Sequence, residues 1–227
     1  MDLFAAAAFR RSVRKYTAEA VPSAVIEKAI DMALLAPNSS NLQTWRMYWV
    51  QDQEKKKQLA RACLNQGAAR TAQELLVFVA DPGAWRVAQK AILKSIEGNP
   101  RQDLHRYYGK MVPFFYGWSW LAPFKWLAFN GIGIFRPMLR SPWSSAGVEQ
   151  VCVKSCALAC ENFMLAVAAQ GFDSCPMEGF DEWRVKSLLK LPWRARVVMV
   201  ISVGKRDPRG IWGERFRLPK EAVFIKI

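Results

Sequence analysis

Acidic side chains and histidine are scarce in this 227-residue chain. Asp and Glu total 19 against 33 Lys and Arg, which gives a formal net charge of +14, and His105 is the one histidine. This excess of positive charge favours anionic partners, namely phosphorylated cofactors, nucleic acid or an acidic lipid surface. No zinc-finger or RNP-type signature accompanies the charge, so we expect no nucleic-acid binding.

Signatures of several other protein classes are also missing. The chain has no nucleophile elbow, which argues against a Ser-His-Asp hydrolase, and no GxGxxG turn for a Rossmann-bound dinucleotide. We interpret His105 as an exposed structural residue. Asp2 precedes a short apolar stretch and arginines follow it, the reverse of a secretory signal, so we expect a cytoplasmic protein.

The cysteines number five, and we expect them to be reduced thiols because the chain shows no export signal. Cys152, Cys156 and Cys160 would share one face of a helix. The first and last would lie about 12 Å apart along the axis, too far for one tetrahedral zinc ion. We therefore predict small buried packing residues and no metal site.

Two basic clusters lie near opposite ends of the chain. The first is Arg10-Arg11-Ser12-Val13-Arg14, which offers three guanidinium groups and a hydroxyl within five residues. In the second, Arg215 and Arg217 stand two residues apart, and such residues point to the same side of an extended segment. Guanidinium forks bind phosphate well, so the two clusters could converge on one phosphate group.

Hydrophobic periodicity predicts an α+β protein of one domain, with helices packed around a small sheet. A helical pattern follows Pro22-Ser23 and is stopped by Pro37, and the polar loop after it forms a helix-to-strand junction. Pro176 and Gly179 are expected to hold residues 171–180 irregular and close to a ligand. The predicted strands are 46–50, 75–80 and 196–203, and the other predicted helices are 3–9, 54–64 and 148–169.

Five ordered motifs resemble the nitroreductase family of flavoenzymes. The resemblance runs from about residue 9 to 81 and from about 151 to 219. The motifs are Arg-Arg-Ser-Val-Arg at 10–14, Ala-Pro-Asn-Ser-Ser-Asn-Leu-Gln-Thr-Trp at 36–45, Gln66, Pro-Met-Glu-Gly at 176–179 and Arg-Phe-Arg-Leu-Pro at 215–219.

The resemblance implies an α+β sandwich whose central, mostly antiparallel sheet is flanked by helices. It also implies a homodimer with one FMN in each of two clefts at the subunit interface, and NADH or NADPH as electron donor. The long helix would then lie at the interface. The alternating tail 221–227 would wrap the partner subunit, with an ordinary edge strand as the alternative.

Roles for particular residues follow from the resemblance as well. Arg11 would bind the phosphate or the ribityl chain, Arg14 the pyrimidine edge, and Gln66 the pyrimidine ring. Arg70 is either a second cation near that ring or a solvent-facing helix residue. The residues implied to bind the FMN phosphate are Arg10, Ser12, Arg215 and Arg217.

The remaining implied contacts surround the flavin ring. Pro176, Met177, Glu178 and Gly179 would run along the dimethylbenzene and N5 side, where a backbone N–H of Glu178 or Gly179 bonds N5. Asn38, Ser39 and Asn41 would come from the other subunit. Ser155 is a substrate-side polar residue or, by the plainer reading, a helix-packing hydroxyl.

The implied function is hydride transfer from NAD(P)H through FMN to nitroaromatic, quinone or similar electron-poor acceptors by a ping-pong mechanism. The flavin carries the chemistry, so no side-chain nucleophile is required. One alternative is a specialised relative, such as a dehalogenase, a flavin-consuming enzyme or an oxidase. Another is a membrane-surface interaction protein with a vestigial flavin fold.

The family pattern leaves an apolar, aromatic-rich insert at about 101–142 unexplained. Between 111 and 135 the one charged side chain is Lys125. A continuous helix there would span about 37 Å, enough for a bilayer, but prolines and glycines argue against it. A lid or dimer-packing element and weak peripheral contact with an anionic membrane both stay open. The insert tryptophans are Trp118, Trp120 and Trp126, and the flanking cations are Arg101, Arg106, Lys110, Arg136 and Arg140.

Overall fold

The structure is a computed structural model that describes residues 1–117, 119–142 and 144–227; Trp118 lies outside the described residues. The strands are β1 Trp45–Val50, β2 Glu74–Ala80, β3 Asp173–Met177 and β4 Arg196–Gly204. The α-helices are α1 Leu3–Phe9, α2 Ser23–Leu34, α3 Gln53–Ala62, α4 Gly67–Thr71, α5 Trp85–Ser95, α6 Gln102–Arg106, α7 Ala122–Phe135, α8 Ser145–Ala169, α9 Glu182–Leu189 and α10 Lys220–Val223. Two π-helical turns occupy Tyr107–Met111 and Pro113–Gly117, and two 3₁₀ turns occupy Ser39–Asn41 and Ser119–Leu121.

The four strands form one sheet in the order β1-β2-β4-β3, and every neighbouring pair is antiparallel. β2 and β4 are central and rich in branched apolar residues because both of their faces are covered. The predicted α+β class and the antiparallel sheet are confirmed. Strands β1, β2 and β4 begin and end within one residue of the prediction.

Alternate residues of β2 enter two different hydrophobic cores. Leu76 and Phe78 face α2 and α8, whereas Leu75 and Val77 face α3, α4 and α9. Phe78 meets Phe163 of α8 edge to face, with ring centroids 5.4 Å apart. Helices therefore cover both faces of the sheet.

Helix α8 is long and apolar enough to cross a membrane by length and composition, but it serves as the central core helix. Ser144 caps its start by accepting from the Gly147 N–H. More than half of its most apolar stretch is buried against α1, α2 and the sheet. We expected the helix to begin at about residue 148, and it begins three residues earlier because of that cap.

All five cysteines are free, as predicted, and all five are buried, which confirms the burial predicted for Cys152, Cys156 and Cys160. Burial raises the pKa of Cys63 to about 12 and is the largest cause that raises the pKa of Cys152 to about 11. These thiols are therefore protonated at neutral pH and pack as small apolar groups.

The prediction of irregular backbone around Pro176 is wrong, and the edge-strand alternative for the tail is not found. Residues 173–177 form the edge strand β3, because an edge strand tolerates the missing N–H of Pro176. The tail after Pro219 forms the short helix α10 and then exposed irregular chain, so an edge strand is excluded there. Contact of the tail with a partner subunit stays a prediction.

Candidate functional site

The chain after α1 carries the first basic cluster along the sheet edge. Ser12 forms a parallel bridge with Ser174 of β3, and the Val13 N–H donates to the Ser174 carbonyl at 3.2 Å. Val13 and Tyr16 are buried, so they fix the segment against the core. The intervening arginines are left partly exposed on the surface beside β3.

The second basic cluster reaches the same place from the C-terminal region. Arg11 donates to the Gly213 carbonyl at 3.0 Å, and Arg215 donates to the Ala8 carbonyl at 2.7 Å. A pocket of about 140 Å³ forms where the clusters meet. Its lining consists of Arg10, Arg11, Ser12, Arg14, Glu214, Arg215, Phe216 and Arg217; we call it the arginine pocket.

Positive charge dominates the arginine pocket. Five guanidinium groups line it with one carboxylate, that of Glu214. Desolvation and then the neighbouring Arg11 and Arg217 lower the pKa of Arg215. Arg215 also bonds the last carbonyls of α1, so part of its donor capacity is structural, which the sequence did not reveal. The pocket suits a phosphate-sized anion and is smaller than the roughly 300 Å³ at which whole-ligand sites begin.

A continuous strip connects the arginine pocket to Gly179. The Arg14 guanidinium stacks over Trp212 at 4.6 Å, and the Arg14 carbonyl lies against Gly67, where a Cβ would come within 2.6 Å of it. The preceding residue, Gln66, donates from Nε2 to the Gly179 carbonyl at 2.6 Å. The structure thus brings Arg14, Gln66 and Gly179 together on one side of the molecule.

The Pro-Met-Glu-Gly motif begins in β3 and ends in an exposed turn. Pro176 and Met177 pair with β4, while Glu178 and Gly179 are exposed. The Phe180 N–H donates back to the Glu178 carbonyl at 3.0 Å, which turns the chain away from the sheet. The two residues expected to approach the flavin ring are therefore accessible.

The loop 38–41 lies elsewhere in the same chain. Ser40 and Asn41 have left-handed φ angles of 56° and 52°, and Gln43 has 45°. Asn38 stabilises this bend by accepting from the Gln43 N–H at 2.8 Å. Within the described residues, no hydrogen bond or ion pair joins the loop to the arginine pocket.

Three tyrosines of the insert bind this loop, and the sequence prediction missed them. Tyr116 and Ser39 share a hydroxyl hydrogen bond of 2.9 Å, and Tyr107 and Ser40 share one of 2.6 Å. The Tyr108 hydroxyl donates to the Ser40 carbonyl at 3.3 Å. We call these residues the tyrosine clamp. One sequence signal existed, since three of the chain's five tyrosines fall within residues 107–116.

Three further candidate residues have side chains that make at most one hydrogen bond each within the described residues. Arg70 lies in the last turn of α4 and is exposed, and its side chain has no hydrogen bond or ion pair within the part of the chain that the structure describes. The Ser155 hydroxyl accepts from the Ser39 N–H at 3.4 Å and so joins α8 to the loop. His105 contacts the Asn99 carbonyl through Nε2 at 2.9 Å, which fits a structural role.

A larger cavity of about 750 Å³ lies between α5, the start of α8 and α9. None of the predicted site residues lines it. Arg196 at its edge binds Glu149 at 2.8 Å and Glu182 at 3.6 Å, so these charges are already compensated. Volume alone does not indicate a reaction site, and the arginine pocket has the more specific chemistry.

Comparison with known proteins decides the family. The nitroreductase family model matches residues 7–205. The chain belongs to the nitroreductase family. Protein DrgA of Synechocystis is 28% identical over 207 residues, covering 91% of this chain and 85% of DrgA. An NADH dehydrogenase of Thermus thermophilus is 28% identical over 226 residues, covering 99% of this chain and 96% of that protein.

Solved structures agree on the nitroreductase fold. A protein from Exiguobacterium sibiricum, solved in complex with FMN, has a TM-score of 0.75 and 21% identity, and covers 100% of this chain and 98% of its own. The family model covers the first basic cluster, the loop 38–41, Gln66 and Gly179 but ends before Arg215. The T. thermophilus match extends through both arginines of the second cluster.

Proposed function

We propose that this nitroreductase-family protein is an FMN-dependent oxidoreductase that transfers hydride from NADH or NADPH to nitroaromatic, quinone or similar electron-poor acceptors by a ping-pong mechanism. The convergence of two basic clusters in the arginine pocket carries the proposal. The names of the relatives and the FMN-bound structural neighbour support it. When bound, FMN supplies the two-electron chemistry, and the protein supplies binding, orientation and charge.

The chemistry of the arginine pocket fits the phosphate of FMN. Guanidinium forks form paired, charge-assisted hydrogen bonds with phosphate oxygens, and a dianion would offset the mutual repulsion of the arginines. Arg10, Arg11, Ser12 and Arg217 have polar side chains in position to hold it. Arg215 contributes positive charge while its guanidinium also holds the end of α1.

The strip from Arg14 to Gly179 fits the rest of the cofactor. Arg14 lies between the arginine pocket and Gln66, so its cation would favour negative charge at the pyrimidine edge. Gln66 would bond the pyrimidine ring and is held in place by the Gly179 carbonyl. Pro176, Met177, Glu178 and Gly179 would border the ring, with a backbone N–H of the last two directed at N5. Arg70 is exposed near Gln66 and would add a second cation.

A homodimer would complete this site. The arginine pocket has room only for a phosphate-sized group, and Glu178 and Gly179 are exposed in the single chain. A second copy could therefore cover the ring with Asn38, Ser39 and Asn41 of its own loop. We propose that residues 1–227 form one FMN-binding domain with its insert at about 101–142.

The insert bears on the choice of acceptor. Its tyrosine clamp fixes the loop 38–41, so aromatic residues of the insert would border the acceptor site of the dimer. Such a border favours bulky apolar acceptors such as quinones. We propose a cytoplasmic enzyme whose residues 111–135 also make peripheral contact with a membrane.

Anaerobic titration tests the proposed function. The purified protein should carry FMN. About one equivalent of NADH or NADPH per FMN should bleach the flavin absorbance, and a quinone added afterwards should restore it. Initial rates should give the parallel double-reciprocal lines of ping-pong kinetics. Bound FMN that neither nicotinamide reduces would contradict the proposal and favour a vestigial flavin site.

A further inference from the structure

The chain between Asp103 and Glu149 contains no carboxylate side chain. It carries five cations instead, which are Arg106, Lys110, Lys125, Arg136 and Arg140. Among the described residues, Arg106, Lys110 and Arg136 have no ion-pair partner, and all three are exposed. The segment therefore presents positive charge that the protein itself does not neutralise.

Helix α7, in the middle of this segment, turns one face toward the protein. Lys125 is 3% exposed and donates to the Phe114 carbonyl, and Phe129, one turn later, packs on Phe114 and Phe115. Arg140 folds back and donates to the Gly133 carbonyl at 3.3 Å. The contacts of Lys125 and Phe129 fix the helix on the Pro113–Gly117 turn, and the Arg140 bond holds the following chain against the helix end.

The other faces of α7 are apolar and exposed. Phe124, Trp126 and Leu127 are 69%, 59% and 67% exposed. Ile134 and Phe135 continue the surface at the helix end, and Trp120 precedes the helix at 75% exposure. So many exposed large apolar side chains on one short helix mark an interaction site.

We propose that α7 and its basic flanks anchor the protein in the interfacial layer of an anionic lipid membrane. The apolar side chains would enter the lipid layer, and anionic headgroups would supply the negative charge that this segment lacks. The helix is about 21 Å long, shorter than the roughly 30 Å hydrocarbon core, so it lies in the interface and does not span. Trp120 and Trp126 suit the headgroup level.

Charge also distinguishes this occupant from a second copy of the chain. A symmetric contact between two α7 segments would bring together like cations with no carboxylate in either segment. Anionic headgroups attract the same cations. The inference extends the peripheral contact of the proposed function, but it depends on no flavin chemistry.

The tyrosine clamp links this anchor to the proposed active site. Tyr107, Tyr108 and Tyr116 precede α7 and bind the loop 38–41. An enzyme held by α7 would therefore keep that loop near the membrane surface, where lipophilic acceptors are concentrated.

Co-sedimentation of the 227-residue holoprotein with vesicles tests the anchor. The protein should sediment with phosphatidylglycerol vesicles and remain in solution with phosphatidylcholine vesicles. The charge variant Lys110→Glu/Arg136→Glu should weaken binding roughly 25-fold or more, because each cation near the surface contributes about a fivefold gain. High salt should weaken the initial attachment of the wild type.

A triple variant separates lipid insertion from nonspecific charge attraction. Phe124→Ser/Trp126→Ser/Leu127→Ser should abolish sedimentation while bound FMN absorbance and circular dichroism stay unchanged. Its matched control is Trp183→Ser/Trp193→Ser, at positions 85% and 79% exposed outside the segment, which should bind vesicles like the wild type.

Three outcomes would overturn the anchor. In the first, the wild type stays in solution with anionic vesicles. In the second, the triple variant sediments as well as the wild type. In the third, the wild type does not bind vesicles and its oligomer dissociates in the triple variant. The last outcome would assign α7 to a second copy. Vesicle binding by a protein whose flavin no nicotinamide reduces would support the anchor and refute only the proposed function.

Discussion

Gly67 leaves the space through which the first basic cluster contacts the rest of the site. A Cβ at this position would lie 2.6 Å from the Arg14 carbonyl, a backbone atom that cannot rotate away. Gln66 precedes it and contacts Gly179. The absent side chain therefore keeps three proposed flavin-binding residues in register.

We expect Gly67→Ala to lower the free energy of unfolding by about 1–3 kcal/mol, because an added methyl group must displace backbone. Affinity for FMN should fall with it. The matched control is Gly131→Ala in α7, where a Cβ meets no atom within 4 Å and a gain in stability of up to about 1 kcal/mol is expected. Chemical denaturation of both variants measures the difference. Equal stability of the two would contradict the steric argument.

Tyr116→Phe tests the tyrosine clamp at its most buried member. The variant removes the hydrogen bond to Ser39 and should cost about 1 kcal/mol of stability. We also expect KM for a quinone to rise more than kcat changes, because the loop 38–41 loses a support. Tyr48→Phe is the control, since the Tyr48 hydroxyl has no hydrogen bond within the described residues. If the two variants have the same KM and kcat, the Tyr116 hydroxyl has no role in acceptor binding and the clamp only packs the loop.

At the scale of elements, the loop 38–41 is the reason to expect an obligate homodimer, because no hydrogen bond or ion pair joins it to the arginine pocket within the described residues of one chain. Sedimentation velocity should give twice the 25.8 kDa chain mass. Asn41→Ala should weaken FMN binding or turnover without dissociating the dimer, since it removes one polar contact and little buried area. An active, flavin-replete monomer would refute the shared site.

Helices and strands were predictable from the sequence where the spacing or length of an apolar run alone determines the element. The branched apolar runs of β2 and β4 predict buried strands, and the apolar length of α8 predicts a core helix. Strand β3 was missed because Pro176 and Gly179 indicate irregular backbone, while the edge position that tolerates the proline depends on sheet order. The periodicity of residues along a segment does not predict the position of that segment in the sheet.

Part of the candidate site was also predictable from the sequence, namely the family and the meeting of the two basic clusters. Ordered motifs identified the nitroreductase family, which the family model confirms. They also indicated that the two basic clusters would meet, and the structure brings them together. The bonds from Arg215 to α1 and the tyrosine clamp were not predictable, because they join residues 67 or more positions apart without a motif.

At the scale of the whole molecule, buried thiols should make the free energy of unfolding fall as the pH becomes alkaline. Their folded pKa values are raised, to about 12 for Cys63 and about 11 for Cys152, above the ordinary value of 9.0. The unfolded chain ionises first as pH rises, so this stabilisation is complete below about pH 9 and is lost above it. The free energy of unfolding should fall by roughly 2 kcal/mol or more between pH 9 and 11. Cys63→Ala/Cys152→Ala should show a shallower decline; the same slope in both proteins would contradict this origin.

The central claim is that the arginine pocket binds the phosphate of FMN, and the ratio of FMN to riboflavin affinity tests it most directly. Riboflavin lacks the phosphate. Each charge-assisted hydrogen bond contributes about 1.5–3 kcal/mol, so the wild type should bind FMN at least about 100-fold more tightly than riboflavin. Arg10→Ala/Arg217→Ala should lose most of this ratio. Arg86→Ala/Arg194→Ala, whose guanidinium groups stack on Trp85 and Trp193 outside the pocket, should keep it. Equal affinity of the wild type for the two flavins would contradict the account.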